Sequence, residues 1–448
     1  MLSYVGKAVE VFLDTGTRFP RRMIWAAGLV KYSAARANVE LGLLDAPRAE
    51  AIMRASLEVA EGLHDDKIIV DVFQTGSGTG FNMNVNEVIA ERASQISGLR
   101  VHPNDHVNMS QSSNDVVPTV VRLSLAYELE NVLIPAVERA VESLLRLSDR
   151  TRGVVKPGRT HLRDALPVTM GQEFSAYADA LSKDKSLLEN AVEHLLEVPL
   201  GGTAVGTGLN AHPQYSEVAV KTLAEAARLK LRPAASTFRA MRLLSDVVAV
   251  SSAMKVLALD LWRLSQDLRL MYSGPFTGLG EIDIPQEVPG SSMMPGKVNP
   301  VTVEAVMQAA SHVIGLDQTV TMASLLGEFE LSMGIPLAGY ATLTQARLLR
   351  ESLDKLSTLV IDRVKPLEDK TRWMAERSQA LITIITPIVG YEKAAEISKK
   401  LYEGKSVREA LRELGLSEEE VNKILDMEKL TKPGIPVLQL KKPGEPTS

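Results

Sequence analysis

Four polar stretches of this 448-residue chain hold side chains that can grip an anion and move a proton. Residues 290–300 read GSSMMPGKVNP. Lys297 supplies a fixed positive charge, Ser291 and Ser292 follow a glycine in what reads as a mobile loop, and Asn299-Pro300 reads as the N-cap and first residue of a helix that carries Glu304 one turn in. A loop that only joins helices has no use for that whole set, whereas a reaction that creates negative charge on a carboxylate does. Residues 158–164, GRTHLRD, set Thr160 and His161 in a loop among Arg159, Arg163 and Asp164. A lone histidine is more often structural, but in such a loop an imidazole can take and return a proton near neutral pH. In residues 74–87, QTGSGTGFNMNVNE, the glycines around Ser77, Gly78 and Thr79 let the backbone approach an anion and the hydroxyls donate to it. The stretch lacks the GK[ST] ending of a phosphate loop, and a plain turn is its bland reading. Residues 102–115, HPNDHVNMSQSSND, end on Ser112, Ser113 and Asn114, all N-cap types; one capping residue suffices for a helix, so three in succession point to binding as well. His102 and His106 have a metal-like i, i+4 spacing, yet Pro103 and the turn-forming Asn104-Asp105 argue against a helix there, and no metal is expected.

All four stretches stand beside expected helix starts. A helix N-terminus presents unpaired N–H groups and partial positive charge, so it can hold carboxylates with few basic side chains. The elements that must position these groups are therefore helices, and apolar residues recur at helical period over most of the chain while strand-like alternation is scarce. The fold class expected is all-α. Residues 1–111, with helices over about 24–43 and 47–61, read as a mixed N-terminal domain. Residues 112–365 read as a central bundle of five long helices, roughly 115–149, 169–196, 236–272, 300–325 and 337–364. Residues 366–448 read as a small C-terminal helical domain in which Ser406 starts one helix and Ser417, with Glu420 three residues on, caps another; a Pro- and Lys-rich tail follows. The long helices are rich in Leu, Val and Ala, as in VVAVSSAMKVLALDLW, and leave apolar surface that favours oligomerisation.

Composition narrows the function. A formal net charge of −5 offers no basic field for a polyanion, so no nucleic-acid partner is expected. The absence of cysteine removes disulfides, thiolate metal sites and a cysteine nucleophile. The N-terminus resembles no secretory signal and no apolar run nears the ~20 residues of a membrane span, which suggests a soluble, cytoplasmic protein with no membrane partner.

In order and spacing, the four stretches resemble the signature regions of the fumarase/aspartase superfamily, whose hallmark is GSSxMPxKxNP. QTGSGT, NMNVNEVIA, VHPNDHVN, SQSSND, GRTH, LGGTAVGTGLN and GYEKAA resemble the class II fumarate hydratases most. The resemblance implies a metal-independent, cofactor-free lyase that interconverts fumarate and (S)-malate. It also implies a homotetramer whose long helices form one core and whose active sites are shared between subunits. It implies a dicarboxylate site from Ser77, Gly78, Thr79, Ser112, Ser113, Asn114, Thr160, Ser292, Val298 and Asn299, with Lys297 stabilising the aci-carboxylate intermediate. Ser291 is implied as the base for the C3 proton, and His161, paired with Glu304, as the group handling the departing hydroxyl. His102, Pro103, Asn104 and Asp105 resemble a second dicarboxylate site. Two other readings are carried forward: an aspartate ammonia-lyase on the same scaffold, and a non-catalytic structural protein.

Overall fold

A computed structural model describes residues 4–285, 288–402 and 404–435. Helices hold 67% of the chain and, among the described residues, strand pairing amounts to three two-stranded pieces and an isolated bridge between Arg18 and Asp71, so the all-α expectation holds. The tail beyond Ile435 lies outside the described residues.

The helices follow the apolar periodicity closely and differ from it where a polar or proline constraint intervenes. After a short helix Tyr4–Val11 come Arg21–Glu40 and Ala46–Glu61, the latter opened by Asp45, whose carboxylate accepts from Arg48 N. The helix expected over 115–149 runs as Ser113–Glu128, a single π turn Leu129–Leu133, and Ile134–Arg150. Pro135 lacks an N–H and its ring crowds the carbonyl four residues back, and the wider π turn before it accommodates both. The expected helix over 236–272 is two helices, Thr237–Arg242 and Ser245–Tyr272. At the break Leu243 is extended, and its carbonyl accepts from Arg122 Nη2 at 3.2 Å. Arg122 is fully buried and also pairs with Asp246 (Nε to Oδ2, 2.7 Å), so the chain gives up helical hydrogen bonds to satisfy a guanidinium. Met170–Glu193 and Val301–Ser324 match their expected spans to within a few residues; Ile335–Lys355 passes into a π turn and a 3-10 turn ending at Arg363.

By compactness the chain divides into two units: Met1–Glu138, Ser182–Trp262 and Met307–Leu353 form one, and Arg139–Leu181, Arg263–Val306 and Asp354–Ser448 the other. The first is built on Val, Leu and Ala side chains of the long helices, such as Val117, Val120, Leu123, Leu257 and Val313, all fully buried. The second contains the strands β1 (Val155–Thr160) and β2 (Arg163–Thr169), paired antiparallel, and a C-terminal cluster around Leu381, Ile385, Leu411 and Val421. The expected cap is present there, Ser417 with Glu420 opening Glu418–Ile424 as a reciprocal capping box, and Ser406 with Glu409 opens Val407–Glu413 in the same way. Among the described residues no helix is long and apolar enough to cross a membrane.

Candidate active site

In the first unit, two of the four polar stretches meet at helix starts. Ser77 and Gly78 take positive φ (58° and 75°) ahead of the helix Thr79–Ser97. Gly78 could not be another residue without displacing Val117, because a Cβ there would lie 3.0 Å from its methyl. The turn brings Thr79 Oγ1 to 2.9 Å from Ser113 Oγ and 3.4 Å from Ser77 Oγ. One residue of the Ser112–Ser113–Asn114 trio does the capping: Ser112 Oγ accepts from Asn114 N (3.2 Å) while Asp115 accepts from Ser112 N (2.9 Å). The other two are not used as caps. Ser113 turns to Thr79, and Asn114 donates to the Ala204 carbonyl at 2.8 Å. The result is a group of hydroxyls and an amide at the positive end of a helix, suited to a carboxylate.

A buried polar layer lies behind this group, and most of it has no signature in the local sequence. Asp115 Oδ2 accepts from Gly201 N and Thr203 N, both at 3.0 Å, which fastens the LGGTAVG segment to the start of the Ser113 helix. Lys31, fully buried, donates to Asn108 Oδ1 (3.0 Å) and Gln111 Oε1 (2.9 Å), and Asn82 and Asn86 donate to the same Asn108 oxygen at 3.1 and 3.2 Å. Burial pulls the Lys31 ammonium down to about 7, with Asp115 opposing, and pushes the Asp115 carboxyl up to about 6 against its N–H partners. In sequence Lys31 is one lysine among alanines, with no local sign of burial. Asp115 carried a signal, since Ser112 and Asp115 have capping-box spacing.

The His102 stretch differs from the expected turn. Pro103–Val107 form one π turn capped by His102, whose Nδ1 accepts from Asn104 N (3.3 Å) and Asp105 N (3.2 Å). His106 Nδ1 accepts from His102 N at 2.8 Å. Both Nδ1 atoms thus serve the backbone. Asn104 and Asp105 are exposed.

The other two stretches lie in the second unit. The expected loop around Thr160 and His161 is the tip of the β1–β2 hairpin, where His161 and Leu162 take φ of 55° and 56°, the tight two-residue turn that matches strand twist. The tip leaves Thr160 and His161 exposed. In the loop 290–300, Ser291 Oγ accepts from Met293 N (3.2 Å) and Met294 N (3.0 Å). Two N–H donors aimed at one hydroxyl oxygen favour its anionic form. Asn299 does not cap the following helix with its side chain; Nδ2 donates to the Gly290 carbonyl at 2.5 Å and closes the loop, while the Pro300 carbonyl accepts from Glu304 N. Val298 is half-buried beside it, and Ser292 and Lys297 are exposed. Within the single chain Glu304 pairs with Arg269 at 3.4 Å.

Comparison with known proteins finds relatives over nearly the whole chain. Residues 4–315 match the lyase family, and residues 381–432 match the family described as fumarase C C-terminus. A class II fumarate hydratase of Saccharolobus solfataricus is 54% identical over 97% of this chain and 99% of its own length. An aspartate ammonia-lyase of a Bacillus species is 41% identical over 96% of this chain and 93% of its own. The crystal structure of a class II fumarase from Schistosoma mansoni superposes with a TM-score of 0.92 at 32% identity, covering 95% of this chain and 94% of that one. The chain is a lyase and belongs to the class II fumarate hydratase family of the fumarase/aspartase superfamily.

Proposed function

We propose that this enzyme catalyses the reversible hydration of fumarate to (S)-malate without a metal or cofactor. The carrying observation is the Ser291 loop: a serine oxygen that accepts two backbone N–H groups, followed by Lys297 and Asn299. In the malate-to-fumarate direction the C3 proton is barely acidic and serine is a weak base. Ser291 removes the proton as an alkoxide, and the electron pair moves into the adjacent carboxylate, giving an aci-carboxylate dianion. Lys297 and the helix N-termini stabilise that dianion more than the ground state, which is the condition for acceleration. His161, with Glu304, handles the proton of the departing hydroxyl through water.

Ser77, Gly78, Thr79, Ser112, Ser113, Asn114, Thr160, Ser292, Val298 and Asn299 hold the substrate carboxylates, and His102, Pro103, Asn104 and Asp105 form a second dicarboxylate site. The enzyme is a homotetramer in which different chains contribute these segments to one site. The exposure of Thr160, His161, Ser292 and Lys297 in the single chain supports this, because a catalytic site needs water excluded around it. In sequence order the chain comprises domains over 1–111, 112–365 and 366–448. We place the enzyme in the cytoplasm, serving the tricarboxylic acid cycle.

The 41% identical ammonia-lyase makes aspartate the competing substrate. Absorbance of fumarate, followed with malate and aspartate side by side, decides between them. Fumarate from malate without ammonia is expected. Fumarate from aspartate alone would assign the chain to the ammonia-lyases, and turnover of neither would leave a structural role.

A further inference from the structure

The hairpin that presents Thr160 and His161 is held at its base by buried charges. Lys156 Nζ lies 2.7 Å from Glu173 Oε2 and 3.0 Å from Glu281 Oε2, and Arg159 Nη1 lies 2.6 Å from Glu281 Oε1. Glu281 is fully buried and Lys156 nearly so. Residues three apart on a regular strand point to opposite faces, so Lys156 and Arg159 should not share a carboxylate. They do because the β1–β2 register shifts between Pro157 and Arg159. The residue between them is Gly158, where a Cβ would lie 2.5 Å from the Leu166 carbonyl oxygen.

Glu281 is itself clamped. Its N–H donates to the Met271 carbonyl at 2.8 Å, its carbonyl accepts from Leu367 N at 2.9 Å, and Ile282–Asp283 pairs with Lys365–Pro366. A rigid backbone therefore presents one carboxylate to two cations of the strand that ends in Thr160. Stability alone is a poor reason for such a set, since well-packed apolar residues often serve as well as a buried ion cluster. Fixed geometry is the better reason.

We propose that Glu281 is a positioning residue for the hydration reaction, acting through Arg159 and Lys156 to fix the hairpin tip and hence the His161 imidazole. The proposal rests on the role given to His161 above. The test is a double-mutant cycle in kcat on the assembled enzyme, combining Glu281→Gln with His161→Asn. Glu281→Gln alone is expected to lower kcat roughly 10- to 100-fold, the scale of an ångström-sized misplacement. In the His161→Asn background it should add less than about a twofold loss, because no imidazole remains to misplace. Equal losses in both backgrounds would overturn the positioning role and leave a structural one. A wild-type rate for His161→Asn by itself would instead remove the role of His161, and with it anything for Glu281 to position. If Glu281→Gln does not assemble, Arg159→Lys carries the same cycle, since it keeps the charge and shortens the reach.

Discussion

Ser291 and Lys31 make the sharpest claims at the scale of single residues. The Ser291 oxygen accepts from the N–H groups of the exposed Met293 and Met294, which water can solvate in an alanine variant, and Asn299 still closes the loop on Gly290. Ser291→Ala should therefore keep the loop and the assembly while losing about 10²- to 10⁴-fold in turnover, the range of one proton-transfer group. Fumarate absorbance and gel filtration measure the two, and a wild-type rate would assign the base elsewhere. Lys31 makes a claim about pH. Burial pulls it down to about 7, against about 10.4 in an unfolded chain. Between those values the unfolded chain keeps a proton that the folded chain has released, so this group makes the fold more stable as pH rises. Asp115 acts oppositely at lower pH: its folded value of about 6 lies above the unfolded one, so its contribution falls as pH rises from about 4 to about 6. Lys31→Met should remove the first dependence. In denaturant titrations the stability difference, wild type minus variant, should grow between pH 7 and 9 by up to about 1.4 kcal/mol per unit. A difference that stays flat with pH would show that the ammonium does not titrate in that window.

Elements are broken or bent here for reasons that can be tested one at a time. The extended Leu243 between two helices serves Arg122, whose charge is otherwise matched by Asp246. Arg122→Met should cost about 3–5 kcal/mol, because it leaves Asp246 buried and unpaired. Adding Asp246→Asn should recover part of that loss in thermal or denaturant unfolding; no recovery would mean that packing, not charge, holds the pair. In the β1–β2 hairpin the glycine at 158 permits the close approach of Leu166 and the register shift beside it. Gly158→Ala should destabilise the enzyme by about 1–3 kcal/mol, as overpacking typically does, and lower kcat because the tip carries His161. Unchanged kcat in a destabilised variant would separate the hairpin's geometry from catalysis.

For the whole molecule, the sharing of sites between chains has a direct consequence. Asn114→Ala and His161→Asn each disable a different polar stretch. If those stretches come from different chains, subunits mixed after denaturation and refolding should recover up to roughly a quarter of wild-type activity, the random expectation for a site built by two chains. Mixtures as inactive as either parent would place both stretches of a site in one chain.

At this scale the helical class, most helix spans, the Ser417 cap and the four chemistry-bearing stretches are legible along the chain. Each of these is written in neighbours: apolar period, a Ser three residues before a Glu, a long contiguous hallmark. Which charges are buried, and what they hold, depends on how the chain folds. Arg159 meets Glu281 across 122 residues and Arg122 meets Asp246 across 124, and Lys31 reaches Asn108 and Gln111 from a helix that looks ordinary in sequence. No local pattern distinguishes a solvated lysine or glutamate from a buried one, because its burial is set by what packs over it. The broken helix at Leu243 and the bulged hairpin below His161 follow from those distant partners, so they became visible only when the chain was folded.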